Sequence, residues 1–260
     1  NIMRNSDIIQ SSLLLIFLQN NKKEVLVVPA KAKKVIKVIL IILLAAVLIV
    51  GGYVAYVMID YHRIEDNQAL QINDATSDAA LVDTEYKVIS YNIGFAAYTP
   101  DFGFFMDGGT QSRAESEESV KNVISGVGDF LKSEAPDFIL IEEVDKNATR
   151  SYHYDEEAAL RNMLEGYDST FTVNLDVPYL FYPLSKPHGK SYAGMLTLSR
   201  FNIESGLRRS LPIEDGFMKF VDLDRCYSVS RFPSATIRSL CYIRFIFPHT
   251  LPTAQSPPSS

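Results

Sequence analysis

The sequence predicts an α/β (α+β) fold preceded by one transmembrane helix, and three observations carry that reading. Residues 38–59 (VILIILLAAVLIVGGYVAYVMI) form a run of 22 positions without a charge, long enough to cross a bilayer as a helix. Beyond it, short β-type segments alternate with stretches whose apolar residues recur at helical spacing, the pattern of a layered mixed fold. The composition, 47% apolar and 22% charged with 13 Gly, 12 Pro and two Cys in 260 residues, excludes a disordered, collagen-like or disulfide-stapled chain.

Residues 1–30 carry no motif and no membrane-length segment, and we read them as a non-native leader. Lys23-Glu24-Val25 can be written AAG-GAG-GTN, a purine-rich ribosome-binding sequence just ahead of Val27 or Val28 as a GTG start. Residues 31–60 combine a Lys cluster with the apolar run. A buried core helix of this length carries a polar face, which this one lacks, and the run is too long for a cleaved signal peptide. Lys31, Lys33, Lys34 and Lys37 precede it, whereas Asp60, Glu65 and Asp66 follow it. The positive-inside rule then keeps the N-terminus cytoplasmic and places everything after Asp60 outside, on a single-pass cell-membrane protein.

Residues 61–85 are polar and aperiodic, which predicts a linker. The globular part, 86–233, begins with 86–91 (YKVISY), which alternates as a strand does. Val120, Val123, Ile124, Val127, Phe130 and Leu131 then mark one face of a helix that Pro136 closes. Residues 137–144 (DFILIEEV) read as a buried strand, 158–164 as a second helix ended by Gly166, and 194–199 (GMLTLS) as another strand.

Between residues 86 and 233 there are 15 Lys and Arg against 22 Asp and Glu. That acidic balance argues against sequence-blind capture of a nucleic-acid backbone; excess carboxylates suit cations better. Two strands end in residues of the required type: Asn92 after the first, Glu142-Glu143 on the second. Side chains alternate along a strand, so one of the two glutamates faces the inward set, and oxygen ligands at strand ends are how a hard cation such as Mg²⁺ is held. Adjacent acids are also commonly just solvated, so spacing alone leaves both readings open. His153 and His188 lack the partner spacing of a catalytic dyad or a His-rich metal site. Residues 98–109 (YTPDFGFFMDGG) either line a site mouth or pack over the sheet.

Residues 86–94 (YKVISYNIG), 136–145 (PDFILIEEVD), the Arg150-Ser151 pair and 194–203 (GMLTLSRFNI) resemble, in order and spacing, the endonuclease/exonuclease/phosphatase superfamily with its deoxyribonuclease-I-like fold, of the membrane-anchored bacterial type. That resemblance implies part of a four-layer α/β/β/α sandwich and a metal-dependent phosphoesterase, with Mg²⁺ or Mn²⁺ as cofactor. It gives Asn92 and Glu143 the catalytic and metal-binding roles and makes Arg150 and Ser151 substrate-binding. Glu142 stands where the family has Gln, which adds a charge beside the metal. A guanidinium at Arg150 can fork two phosphate oxygens, or it can pair with one of the many acids. The implied partners are the membrane and a phosphate ester, whether nucleic acid, phospholipid headgroup or small molecule, with no obligate protein partner. A non-catalytic extracytoplasmic binding module is the alternative.

The family's later Asn-x-His, Gly-Asp-x-Asn and Ser-Asp-His segments do not occur in the last 60 residues. Residues 234–260 contain two Arg and no Asp or Glu. Read one base out of phase, 240–260 can encode an alternating strand that ends in His-Leu-Ser. The expectation is therefore an out-of-frame tail on a C-terminally truncated domain that is inactive in this form.

Overall fold

A computed structural model describes residues 29–213, 216–220, 223–233 and 241–244. The leader expected at 1–30 lies outside them apart from its last two residues. So does the tail expected at 234–260, apart from the strand at Cys241–Arg244.

Helix α1 spans Ala30–Asp60, and its most apolar 18-residue window has a mean hydropathy of 3.0. It is long and apolar enough to cross a membrane. The chain divides after Val54, and the described residues from Ala55 onward form one compact unit.

That unit is built on two sheets. The first has five strands: β2 (Ile72–Asn73), β5 (Asp168–Leu180), β6 (Gly189–Ser199), β4 (Phe138–Ala148) and β3 (Val88–Asn92), in that spatial order. The second has four: β1 (Gln68–Leu70), β7 (Ser205–Ser210), β8 (Cys226–Phe232) and β9 (Cys241–Arg244). Every pairing is antiparallel except β3 with β4.

Helix α2 (Glu117–Glu134) follows β3. The Ser116 side chain accepts from the Ser119 N–H at 3.1 Å, and Glu117 and Glu118 lie in the first turn, where the helix dipole favours negative charge. Its buried positions Val120, Ile124, Val127 and Leu131 repeat at helical spacing. They pack on Ile139 and Ile141 of β4 and Leu196 and Leu198 of β6. Phe130, expected on the same face, is 46% exposed and meets Tyr91 edge-on at 6.1 Å. Helix α3 (Glu156–Met163) closes the same layer through Leu160. On the other side of β4 and β6, Phe138, Leu140 and Met195 face the second sheet and meet Cys226 and Phe232 of β8. Three layers result: helices, five-stranded sheet, four-stranded sheet. Each fully buried Leu or Ile in these layers contributes about 1.5–3 kcal/mol.

Residues 61–85 are not a linker in the structure. Their strands β1 and β2 join different sheets, and buried polar groups fix the segment. The Asp168 carboxylate, fully buried, accepts from the Ala75, Thr76 and Ile203 N–H groups at 2.7, 2.8 and 2.7 Å. Arg208, also fully buried, donates to the Ile64, Glu65, Val173 and Asp224 carbonyls at 3.2, 3.1, 2.9 and 3.0 Å. Strands of two and three residues leave no periodic signal, which is why the sequence reads as loop there.

Candidate active site

Parallel pairing places Asn92 opposite Glu142, so the C-terminal end of β3 lies beside the middle of β4, which runs on to Ala148. Strict alternation would send Glu142 and Glu143 to opposite faces. The chain breaks that alternation with a register shift between Ile141 and Val144, a bulge in which Glu143 takes a left-handed φ of +56°. Glu142 is consequently buried, 6% exposed, behind Leu140. Glu143 is half-buried and turned toward Asn92, whose amide Nδ2 donates to Glu143 Oε1 at 2.9 Å. Asn92 is itself oriented: its Oδ1 accepts from the Gly94 N–H at 2.9 Å. Burial, and then the Glu143 charge, push the Glu142 carboxyl above its ordinary value.

Gly94, Phe95 and Ala96 follow with φ values of +56°, +42° and +51°, a strained run that sets the Phe95 ring under the site. The Arg150 guanidinium stacks on that ring at 3.9 Å. Arg150 follows β4 in the turn Thr149–Ser151, is 8% exposed, and forks onto Asp145, with Nη2 2.8 Å from Oδ1 and Nε 3.0 Å from Oδ2. Burial opposes the Arg150 charge, but Asp145 overcomes it and the pKa is raised. Behind the pair, Glu156 Oε2 accepts from the Asp145 N–H at 2.8 Å and Oε1 has no partner. Burial first, then the Asp145 charge, raise Glu156 well above the usual carboxylate range. Ser151 is fully buried and donates to the Ala148 carbonyl at 3.3 Å, which places it in the turn's interior.

Two cavities meet at Glu143. One, of about 480 Å³, is lined by Tyr91, Asn92, Gly94, Tyr98 and Glu143, with Val127 of α2 at its wall. The other, of about 300 Å³, is lined by Tyr98, Phe104, Asp107, Glu143, Arg150 and His188 among others. Residues 98–109 therefore do supply a wall of the second cavity. The Tyr98 hydroxyl donates to Asp107 Oδ2 at 3.1 Å, and burial together with that carboxylate raises its pKa. His188 Nδ1 lies 2.9 Å from the Ser112 carbonyl, so Nδ1 carries the proton and Nε2 accepts from the Ser191 hydroxyl at 3.4 Å. Burial, then Arg150, lower its pKa to about 4. His153 stays at the surface on Asn147 Oδ1 at 2.6 Å.

The structure thus brings Asn92, Glu143 and Arg150 to one cleft and keeps Ser151 beneath it. It adds Asp145, Tyr98 and His188, whose partners stand 5, 9 and 76 positions away in sequence. All the resembling segments fall on β3, β4, the turn after β4, and β6 with its exit. Among solved structures the chain is similar to an endonuclease/exonuclease/phosphatase from Beutenbergia cavernae DSM 12333, with 20% identity over 61% of this chain and 37% of that one, TM-score 0.42. It is also similar to ANGEL2, a 2',3'-cyclic phosphatase, with 12% identity over 66% of this chain and 40% of that one, TM-score 0.35. The chain spans about two-fifths of the length of either structure. No family model and no curated protein matches it.

Proposed function

We propose that this chain carries the first half of a membrane-anchored, divalent-metal-dependent phosphoesterase site, with Glu143 and Asn92 as metal-side residues. The observation that supports this most is the Asn92–Glu143 contact at 2.9 Å, made by a bulge that turns one specific acid into the cleft. Among the described residues no three His, Cys, Asp or Glu side chains are grouped to hold a metal. The half-buried Glu143 carboxylate beside a cavity of about 480 Å³ is a hard oxygen donor that fits Mg²⁺ or Mn²⁺ retaining most of its water, while the Asn92 amide, with its N–H on Glu143 and its oxygen on the Gly94 N–H, orients that carboxylate. When bound, the ion would polarise a phosphoryl oxygen.

The chain's own residues do the rest of what can be derived. Asn92 holds Glu143 in one orientation. Glu142 is buried and lines neither cavity. Arg150 is rigid, being stacked below and forked behind by Asp145. It offers a fixed positive edge to the cavity of about 300 Å³, not a free fork for two phosphate oxygens. His188, its pKa lowered to about 4, lines the same cavity as a neutral ring, and Ser151 supports the turn that holds Arg150.

With so few protein ligands, the chain is expected to bind metal weakly and to turn over phosphodiesters slowly or not at all. Titration of the full chain in detergent with Mn²⁺, read by the paramagnetic signal of the free ion, should show one weak site. That site should disappear in Glu143→Ala and survive in Glu165→Ala, an exposed acid in the turn just past the end of α3. Equal Mn²⁺ uptake by wild type and Glu143→Ala would remove the metal assignment and leave the non-catalytic binding module.

A further inference from the structure

The loop between β5 and β6 carries three exposed apolar side chains within four positions. Phe181, Tyr182 and Leu184 are 52%, 61% and 86% exposed. Exposed large apolar side chains in a contiguous cluster mark a surface that meets something other than water.

The tip is held firmly. Ser112 Oγ donates to the Lys186 carbonyl, Arg113 Nε donates to the Pro187 carbonyl at 2.6 Å, and the His188 N–H donates to the Tyr182 carbonyl at 3.0 Å. Its position is also specific. The Tyr179 N–H donates to the hydroxyl of Tyr56 at 3.2 Å, and Tyr56 lies four residues before the end of α1. Tyr53, Tyr56 and Tyr61 cluster at that end of the apolar run, as aromatic side chains do at the headgroup level of a bilayer.

Charge agrees with this placement. The 27 residues between Asp176 and Glu204 contain no carboxylate, in a chain whose net charge is −6, and Lys186 and Lys190 flank the tip in exposed positions. The tip also adjoins the cleft. Tyr182 meets Phe105 at 5.6 Å, Phe105 meets His188 at 5.7 Å, and His188 and the 48% exposed Met106 line the cavity of about 300 Å³.

We propose that the Phe181, Tyr182 and Leu184 tip docks into the headgroup region of the bilayer that α1 spans, holding the mouth of the cleft against the lipid surface. The proposal rests on reading α1 as a membrane span. Its occupant is the protein's own membrane, with the two lysines meeting anionic headgroups.

The chain has no tryptophan, so single-tryptophan variants report their surroundings without background. The full chain would be reconstituted in vesicles of equal parts phosphatidylcholine and phosphatidylglycerol, with a brominated acyl chain as quencher. Leu184→Trp should emit at shorter wavelength than a water-exposed indole and lose intensity to the quencher. Phe130→Trp, on α2, should do neither. Leu44→Trp, inside the apolar run, should be quenched and reports the span itself. If Leu44→Trp is quenched and Leu184→Trp is not, the docking proposal is overturned while the span stands. If Leu44→Trp is not quenched, the span reading fails, and docking fails with it. A blue-shifted but unquenched Leu184→Trp would mean that a second copy covers the tip, which also overturns the proposal.

Discussion

Glu143 occupies a backbone region that favours glycine, and the energy of that conformation, about 1–3 kcal/mol for a non-glycine residue, is held by the strands around it. Glu143→Gly should therefore raise the urea midpoint, by about 1 kcal/mol in stability, while abolishing Mn²⁺ uptake. A loss of stability would show that the Asn92 contact outweighs the strain. His188 gives a pH signature. Its folded pKa of about 4 lies below the ordinary value of 6.5, so between those values the unfolded chain binds a proton that the folded chain refuses. The contribution is whole above pH 6.5 and is lost as pH falls toward 4, by about 3 kcal/mol at most. Denaturation of His188→Gln across that window should show a flatter pH dependence than wild type. At this scale the sequence was half legible. Asn92 stood at a strand end, where ligands are sought, but the acid pair read as closing its strand lies inside β4, and which acid faces the cleft depended on a bulge that period-two counting does not see. His188 and Arg150 drew their character from partners that only the fold brings near.

Strands with buried, alternating or wholly apolar character were readable one by one: β3, β4 and β6 each carry enough residues for a pattern to emerge. Helix α2 was readable for the same reason. The two-residue and three-residue strands of segment 61–85 were not, because they owe their place to side chains elsewhere, chiefly Asp168 and Arg208. Arg208→Leu should accordingly cost about 3–5 kcal/mol, since it strips the Ile64, Glu65, Val173 and Asp224 carbonyls of a donor inside the protein. A change under 1 kcal/mol in chemical denaturation would mean that water replaces the guanidinium there. In β6, a Cβ at Gly194 would lie 2.2 Å from the Thr172 carbonyl oxygen, a backbone atom that cannot swing aside. Gly194→Ala should lower stability by about 1–3 kcal/mol, and wild-type melting of that variant would show that β5 and β6 can separate at the bulge.

For the molecule as a whole, the charge asymmetry around α1 sets the expected orientation. Labelling of intact cells should reach an epitope placed after Glu85 and leave one at Lys31 to Lys37 untouched; protection of the first would reverse the topology. Charge and hydropathy carry that expectation, whereas the packing of the two sheets on each other came only from the three-dimensional arrangement of Phe138, Leu140, Met195, Cys226 and Phe232. The weaving of residues 61–85 into both sheets bears on how such a protein could be shed. Ordinary stalks are cut and the domain drifts away. Here the exposed stretch around Leu81 and Val82 can be nicked, yet β1 and β2 stay hydrogen-bonded to β7 and β5. The severed domain would remain seated on its own stump until something unfolded it.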